Sequence, residues 1–155
     1  MGADTTDRFQ SGAIRALVAL HEREMRTFFL VWKLADKMEL ELPPTLDSDC
    51  STTDRMIRHV LNSSCGYLHW VCKKLKLPKP DIYPPTEIMN FSVEASGYLE
   101  SLLNVWSIAL VSVTDKDCNL EFKSSWNVYY CIDGMLEHAV MHPLRHSFQL
   151  EKLIG

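Results

Sequence analysis

A chain of 155 residues with 46% hydrophobic and 23% charged content has the makeup of one globular domain with a substantial core. Its 16 basic and 20 acidic residues leave a formal net charge of −4, without the broad basic stripe that nucleic-acid binding needs. No run approaches the roughly 20 apolar residues that cross a membrane; the longest, 105–113, is broken by Ser107 and Ser112.

Four long helical patterns follow in chain order. The first spans 9–38, where Ile14, Leu17, Val18, Met25, Phe28, Phe29, Trp32 and Leu34 recur at helical spacing. It must stop before Pro43-Pro44. The second starts at the Ser51-Thr52-Thr53 cluster, with Asp54 in its first turn, where negative charge is favoured. Met56, Ile57, Val60, Leu61, Leu68, Val71 and Leu75 form its apolar face, and it ends near Leu77-Pro78. The basic stretch Lys73-Lys74-Leu75-Lys76 lies at that end, where cations suit the helix dipole.

After a proline-rich extended stretch at 81–85, a third helix is expected over 87–113, with Phe91, Ala95, Leu99, Leu102, Leu103 and Trp106 as its buried stripe. Leu120, Phe122 and Trp126 alternate briefly like a strand within a connecting segment. The fourth helix is expected over 125–153. Helices of this length with modest connections predict an all-α four-helix bundle. The five cysteines (Cys50, Cys65, Cys72, Cys118, Cys131) are odd in number and lack C-x-x-C spacing. Free thiols in a reducing cytoplasm are the expectation.

The fourth helix carries the chemistry. His138, His142 and His146 recur every four residues and so share one face. Two adjacent imidazoles there can converge on one ion, but the stripe spans about 12 Å, too far for bonds of about 2 Å to join its ends. Such a pair needs a third ligand from elsewhere. His59, among apolar neighbours two turns into the second helix, is the candidate; the alternative is a hydrogen-bonded core histidine. His21 and His69 have no partner at a useful spacing and read as structural or surface residues. Pro143 either is a tolerated kink or sets the angle between ligands. Gln149, one turn beyond His146, either hydrogen-bonds a ligand ring or is an exposed helical glutamine.

Two segments resemble the DinB/YfiT-like family of small metal-binding proteins. Residues 54–61 (Asp-Arg-Met-Ile-Arg-His-Val-Leu) look like its second-helix segment, and 135–150 like its fourth-helix motif H-x-x-x-H-x-x-Q. The resemblance implies a four-helix bundle whose connectivity is generally not simple up-down-up-down, often a homodimer. It implies a divalent ion, usually zinc or nickel, held by His59, His142 and His146, with His138 outside the ligand set and Gln149 behind it. Two departures bear on pocket shape. Phe148 stands where a glycine commonly precedes the family's glutamine, and Pro143 where an acidic or small residue is common.

Three neutral imidazoles would leave the ion an open position, the mark of catalytic rather than structural sites. That position can activate water or hold a thiolate. Some relatives are S-transferases using thiols such as bacillithiol or mycothiol; others resemble hydrolases. The leading expectation is a thiol-dependent S-transferase acting on small electrophiles. The alternatives are a non-catalytic metal-binding, stress-associated protein or a metal-dependent hydrolase, with a purely structural ion ranked last. The partners would be a small-molecule substrate and a low-molecular-weight thiol, not nucleic acid or a membrane. Trp70, Tyr129 and Tyr130 are candidate lining residues, and Glu94 and Glu137 candidate bases or ordinary exposed glutamates.

Overall fold

The computed structural model describes residues 8–86 and 89–155. It is mostly helical, with helices α1 (Gly12–Lys37), α2 (Thr53–Lys74), α3 (Phe91–Ala109) and α4 (Ile132–Ile154). A short antiparallel ribbon, β1 (Glu121–Lys123) and β2 (Tyr129–Cys131), joins α3 to α4.

Each of the first three helices starts on a polar cap that satisfies an otherwise orphaned backbone donor. Ser11 Oγ accepts from the Ile14 N–H at 3.3 Å, Thr52 Oγ1 from Arg55 at 3.1 Å, and Asn90 Oδ1 from Ser92 at 3.2 Å. Ser11 also donates to Asp115 at 2.5 Å, which ties the start of α1 to the turn after α3. The first two helices end on residues in the left-handed region, Glu39 (φ 50°) and Lys76 (φ 56°). Behind them, Leu40 N–H reaches the Ala35 carbonyl at 3.0 Å and Leu77 N–H the Cys72 carbonyl at 2.8 Å, closing both ends in the Schellman manner. A side chain in that conformation is strained where glycine is not. Lys76→Gly is therefore expected to raise the unfolding free energy by up to ~1 kcal/mol, read as a higher urea midpoint at unchanged slope.

The core is built from one face of every helix. Ile14, Met25 and Phe28 of α1 are buried with Ile57, Leu61 and Leu68 of α2, Leu102 and Trp106 of α3, and Ile132, Met135 and Leu136 of α4. The most extensive packing joins α1 to α4; α2 touches all three other helices. At the centre, the fully buried His21 stacks on Trp106 with ring centroids 3.9 Å apart. Trp106 Nε1–H donates to Ser64 Oγ at 3.1 Å, and that oxygen lies 2.9 Å from His21 Nε2. One hydroxyl thus links α1, α2 and α3 inside the core. His69 Nε2 donates to the Ile82 carbonyl at 2.8 Å and pins the proline-rich segment to α2. None of the described helices is long and apolar enough to cross a membrane.

Two expected boundaries need correction. The fourth helix does not begin at 125; it begins at Ile132, and 125–131 form the hairpin loop and β2. The brief alternation around Phe122 is a real strand, and β-favouring Val128, Tyr129 and Tyr130 supply its partner. The loop 125–127 closes with the Asn127 N–H on the Ser124 carbonyl at 3.2 Å and Asn127 at φ 65°, a conformation asparagine tolerates. The third helix begins at Phe91 behind its Asn90 cap and ends at Ala109, short of 113. The expected start at 87 lies outside the described residues.

Candidate metal centre

Helix α4 presents His142 and His146 on consecutive turns, and α2 presents His59 opposite them. Ring centroids are 4.7 Å apart for His59 and His142, 5.5 Å for His59 and His146, and 4.8 Å for His142 and His146. One ligand nitrogen from each of the three lies within 4.8 Å of the others, so the group could hold a metal ion. The Nε2 atoms of His59 and His142 are 2.9 Å apart. Two nitrogens bound at about 2.0–2.1 Å around a tetrahedral ion sit about 3.4 Å apart, so this pair is already near ligand spacing.

Two rings have a polar partner on their outer side, and for one of them it fixes the free nitrogen. His146 Nδ1 lies 2.8 Å from Gln149 Oε1, which can only accept, so Nδ1 carries the proton and Nε2 the lone pair. That Nε2 is buried and has no partner among the described residues. His59 Nδ1 lies 3.4 Å from the Asp49 carboxylate, a charge contact rather than an aligned hydrogen bond, and its Nε2 is turned inward toward His142. A carboxylate or amide behind an imidazole is the usual way a ligating histidine is oriented. Together the three imidazole nitrogens could hold a metal ion.

Burial favours the neutral form of His142 and His146, the form that binds metal. It is the main reason the His142 pKa falls from 6.5 to about 2, with positive charge on His146, His59, Arg145 and His138 adding to it. Burial also lowers His146, against the opposing pull of Gln149. Pro143 lies buried between the two ligand turns, and α4 runs on across it. The Ser147 hydroxyl donates to the Pro143 carbonyl at 3.0 Å.

Beside His59 and His142 a cavity of about 640 Å³ opens, walled by Tyr67, Trp126, His138 and Arg145. His138 does not join the ligand cluster. Its ring packs among Tyr67 at 5.3 Å and Trp126 and Tyr130 at 5.6 Å. Trp70 lines the same cavity, whereas Tyr129 lies on the ribbon, 67% exposed and outside the lining. Neither candidate base is at the site. Glu94 accepts the Asn90 N–H at 2.6 Å at the start of α3, and Glu137 is exposed and absent from the cavity wall.

Sequence reasoning missed Asp49, Arg145 and the placement of Trp126. Asp49 belongs to the 3-10 turn Ser48–Cys50 and meets His59 only because that turn packs on α2. The Asp47-Ser48-Asp49 cluster signals a turn, but not its partner. No family model, curated protein or solved structure matches the chain.

Proposed function

We propose that the protein is a divalent-metal-dependent enzyme of the DinB/YfiT-like type that transfers a low-molecular-weight thiol to a small electrophile. The observation that carries this reading is the cavity of about 640 Å³ opening directly beside the histidine cluster. A purely structural site would be closed by a fourth protein ligand, and the histidine group has three members.

His59, His142 and His146 would hold the ion, zinc or nickel, each as a neutral imidazole. A bound ion would supply Lewis-acid chemistry and favour the thiolate over the thiol. Gln149 keeps the His146 ring proton on the outer nitrogen, and Asp49 stands behind the His59 ring. The aromatic wall shields the reacting groups from bulk water on one side. In the transfer the thiol would give up its proton to solvent water, its sulfur would form a bond to the electrophilic carbon, and the bond from that carbon to the leaving group would break, the leaving group departing with its electron pair.

The test is to load the protein with zinc or nickel and screen thiols against monochlorobimane, from which chloride leaves. Turnover that disappears in His142→Ala is the expected result. Stoichiometric metal binding without turnover across a broad thiol and electrophile panel would instead identify a non-catalytic metal-binding protein. Failure to bind either ion would overturn the reading at its root.

A further inference from the structure

We propose that the molecule received by this cavity carries a carboxylate on a planar apolar body, with Arg145 taking the carboxylate and Trp126 the body. This rests on the reading of the histidine cluster and its cavity as one reaction site.

Arg145 stands three residues after His142 on α4 and lines the cavity beside it. Three helical arginines are engaged with carboxylates, Arg26 with Glu22 and Glu100, Arg58 with Asp54, and Arg23 with Glu24, whereas Arg145 is the arginine that lines the cavity beside His59 and His142. Among the described residues no carboxylate lies within 4.0 Å of the Arg145 guanidinium. The acidic residue on the same wall, Asp47, has its Oδ1 turned to the Asp49 N–H at 3.0 Å, capping the 3-10 turn. In a chain of net charge −4, a guanidinium without a carboxylate partner at a cavity mouth is a local positive centre that attracts anions. Its planar fork matches a carboxylate with two parallel hydrogen bonds. Its charge reaches the site itself: after burial, it is the second cause holding His138 below its usual pKa.

The second half of the argument is the wall. Trp126 is 43% exposed, yet it is braced by Tyr130 at 5.5 Å and Tyr67 at 6.4 Å, both edge-on. A large indole held in place and still partly exposed is a stacking platform at little entropic cost. A volume of about 640 Å³ suits a drug-sized or smaller guest. Charge and stacking surface together select an aryl or similarly flat carboxylate over a neutral or cationic molecule.

The probes are 2-naphthoate and its uncharged counterpart 2-naphthamide, titrated by tryptophan fluorescence and saturation-transfer NMR into metal-free and zinc-loaded protein. Naphthoate is expected to bind at least about tenfold more tightly than the amide in both forms, the usual worth of a charged hydrogen bond. Arg145→Gln should bring the two within about twofold. Trp126→Ala should weaken both probes and leave their ratio unchanged. Equal affinity for both probes in the parent protein, or a naphthoate preference that survives Arg145→Gln, overturns the proposal. So does a preference seen only with zinc bound, which would put the carboxylate on the ion. Loss of Trp126 without effect on either probe removes the stacking role. Zinc stoichiometry, measured separately, reports on the metal site whichever way the probes behave.

Discussion

Replacing His142 by alanine is expected to lower zinc affinity by more than about 100-fold, beyond the ~10–100-fold typical of losing an outer partner. His142 is the middle member of the cluster, with its ring centroid within 5 Å of both others. Removing it leaves His59 and His146 on different helices with their centroids 5.5 Å apart. Asp49→Asn and Gln149→Ala should each cost about 10–100-fold, because they leave all three nitrogens present but loosen the tautomer and tilt of one ring. His138→Ala should change zinc affinity little, since that ring packs among aromatics instead. Competition against a chromophoric chelator at fixed pH measures the whole series. An unchanged affinity in His142→Ala, or a larger loss at His138 than at His142, would contradict the assignment of ligands.

Acid should weaken the fold of the metal-free protein, beginning below about pH 6.5. His21 is fully buried, and burial takes its pKa from 6.5 to about 3. Below pH 6.5 the unfolded chain takes up a proton that the folded protein refuses until near pH 3. The unfolded state therefore binds more protons, and stability falls as pH falls. The slope from this one group is about 1.4 kcal/mol per pH unit, or about 2 kcal/mol between pH 6.5 and pH 5. Above pH 6.5 its contribution is constant. His142 and His146, also shifted downward, add to the loss in the same direction. His21→Phe keeps a ring against Trp106 but has nothing to protonate, so its profile should be flatter by the His21 share. Urea unfolding from pH 8 to pH 5 compares the two proteins. Superimposable pH profiles would show that His21 titrates normally in the fold.

The parts of this structure that were legible in the sequence are those governed by local rules. Helical periodicity located α1 and α2, and the Ser51-Thr52-Thr53 cluster contains the Thr52 cap that the structure uses. Four-residue spacing put His142 and His146 on one face, as α4 does. Bringing His59 to them is a tertiary event across 83 residues of chain, and spacing alone could only nominate it. Spacing also left open which adjacent pair of the histidine stripe would be used. What decides it is the surroundings: His146 faces α2 and carries Gln149, whereas His138 is enclosed by Tyr67, Trp126 and Tyr130. The ribbon was half seen because each strand has three residues, too few for period-two alternation to outweigh an adjoining helical pattern. The same misreading hid Trp126, which a helix starting at 125 would have placed elsewhere.

The three imidazoles are carried on long helices, whereas Trp126 arrives on a hairpin tip of residues 125–127. Helices anchored by a shared interior tolerate little change, but a tip of this kind accepts new side chains and extra length. Guest preference and ion retention are thus mechanically separable in this architecture. A library confined to those three positions would change the cavity wall while the histidine cluster stays as it is.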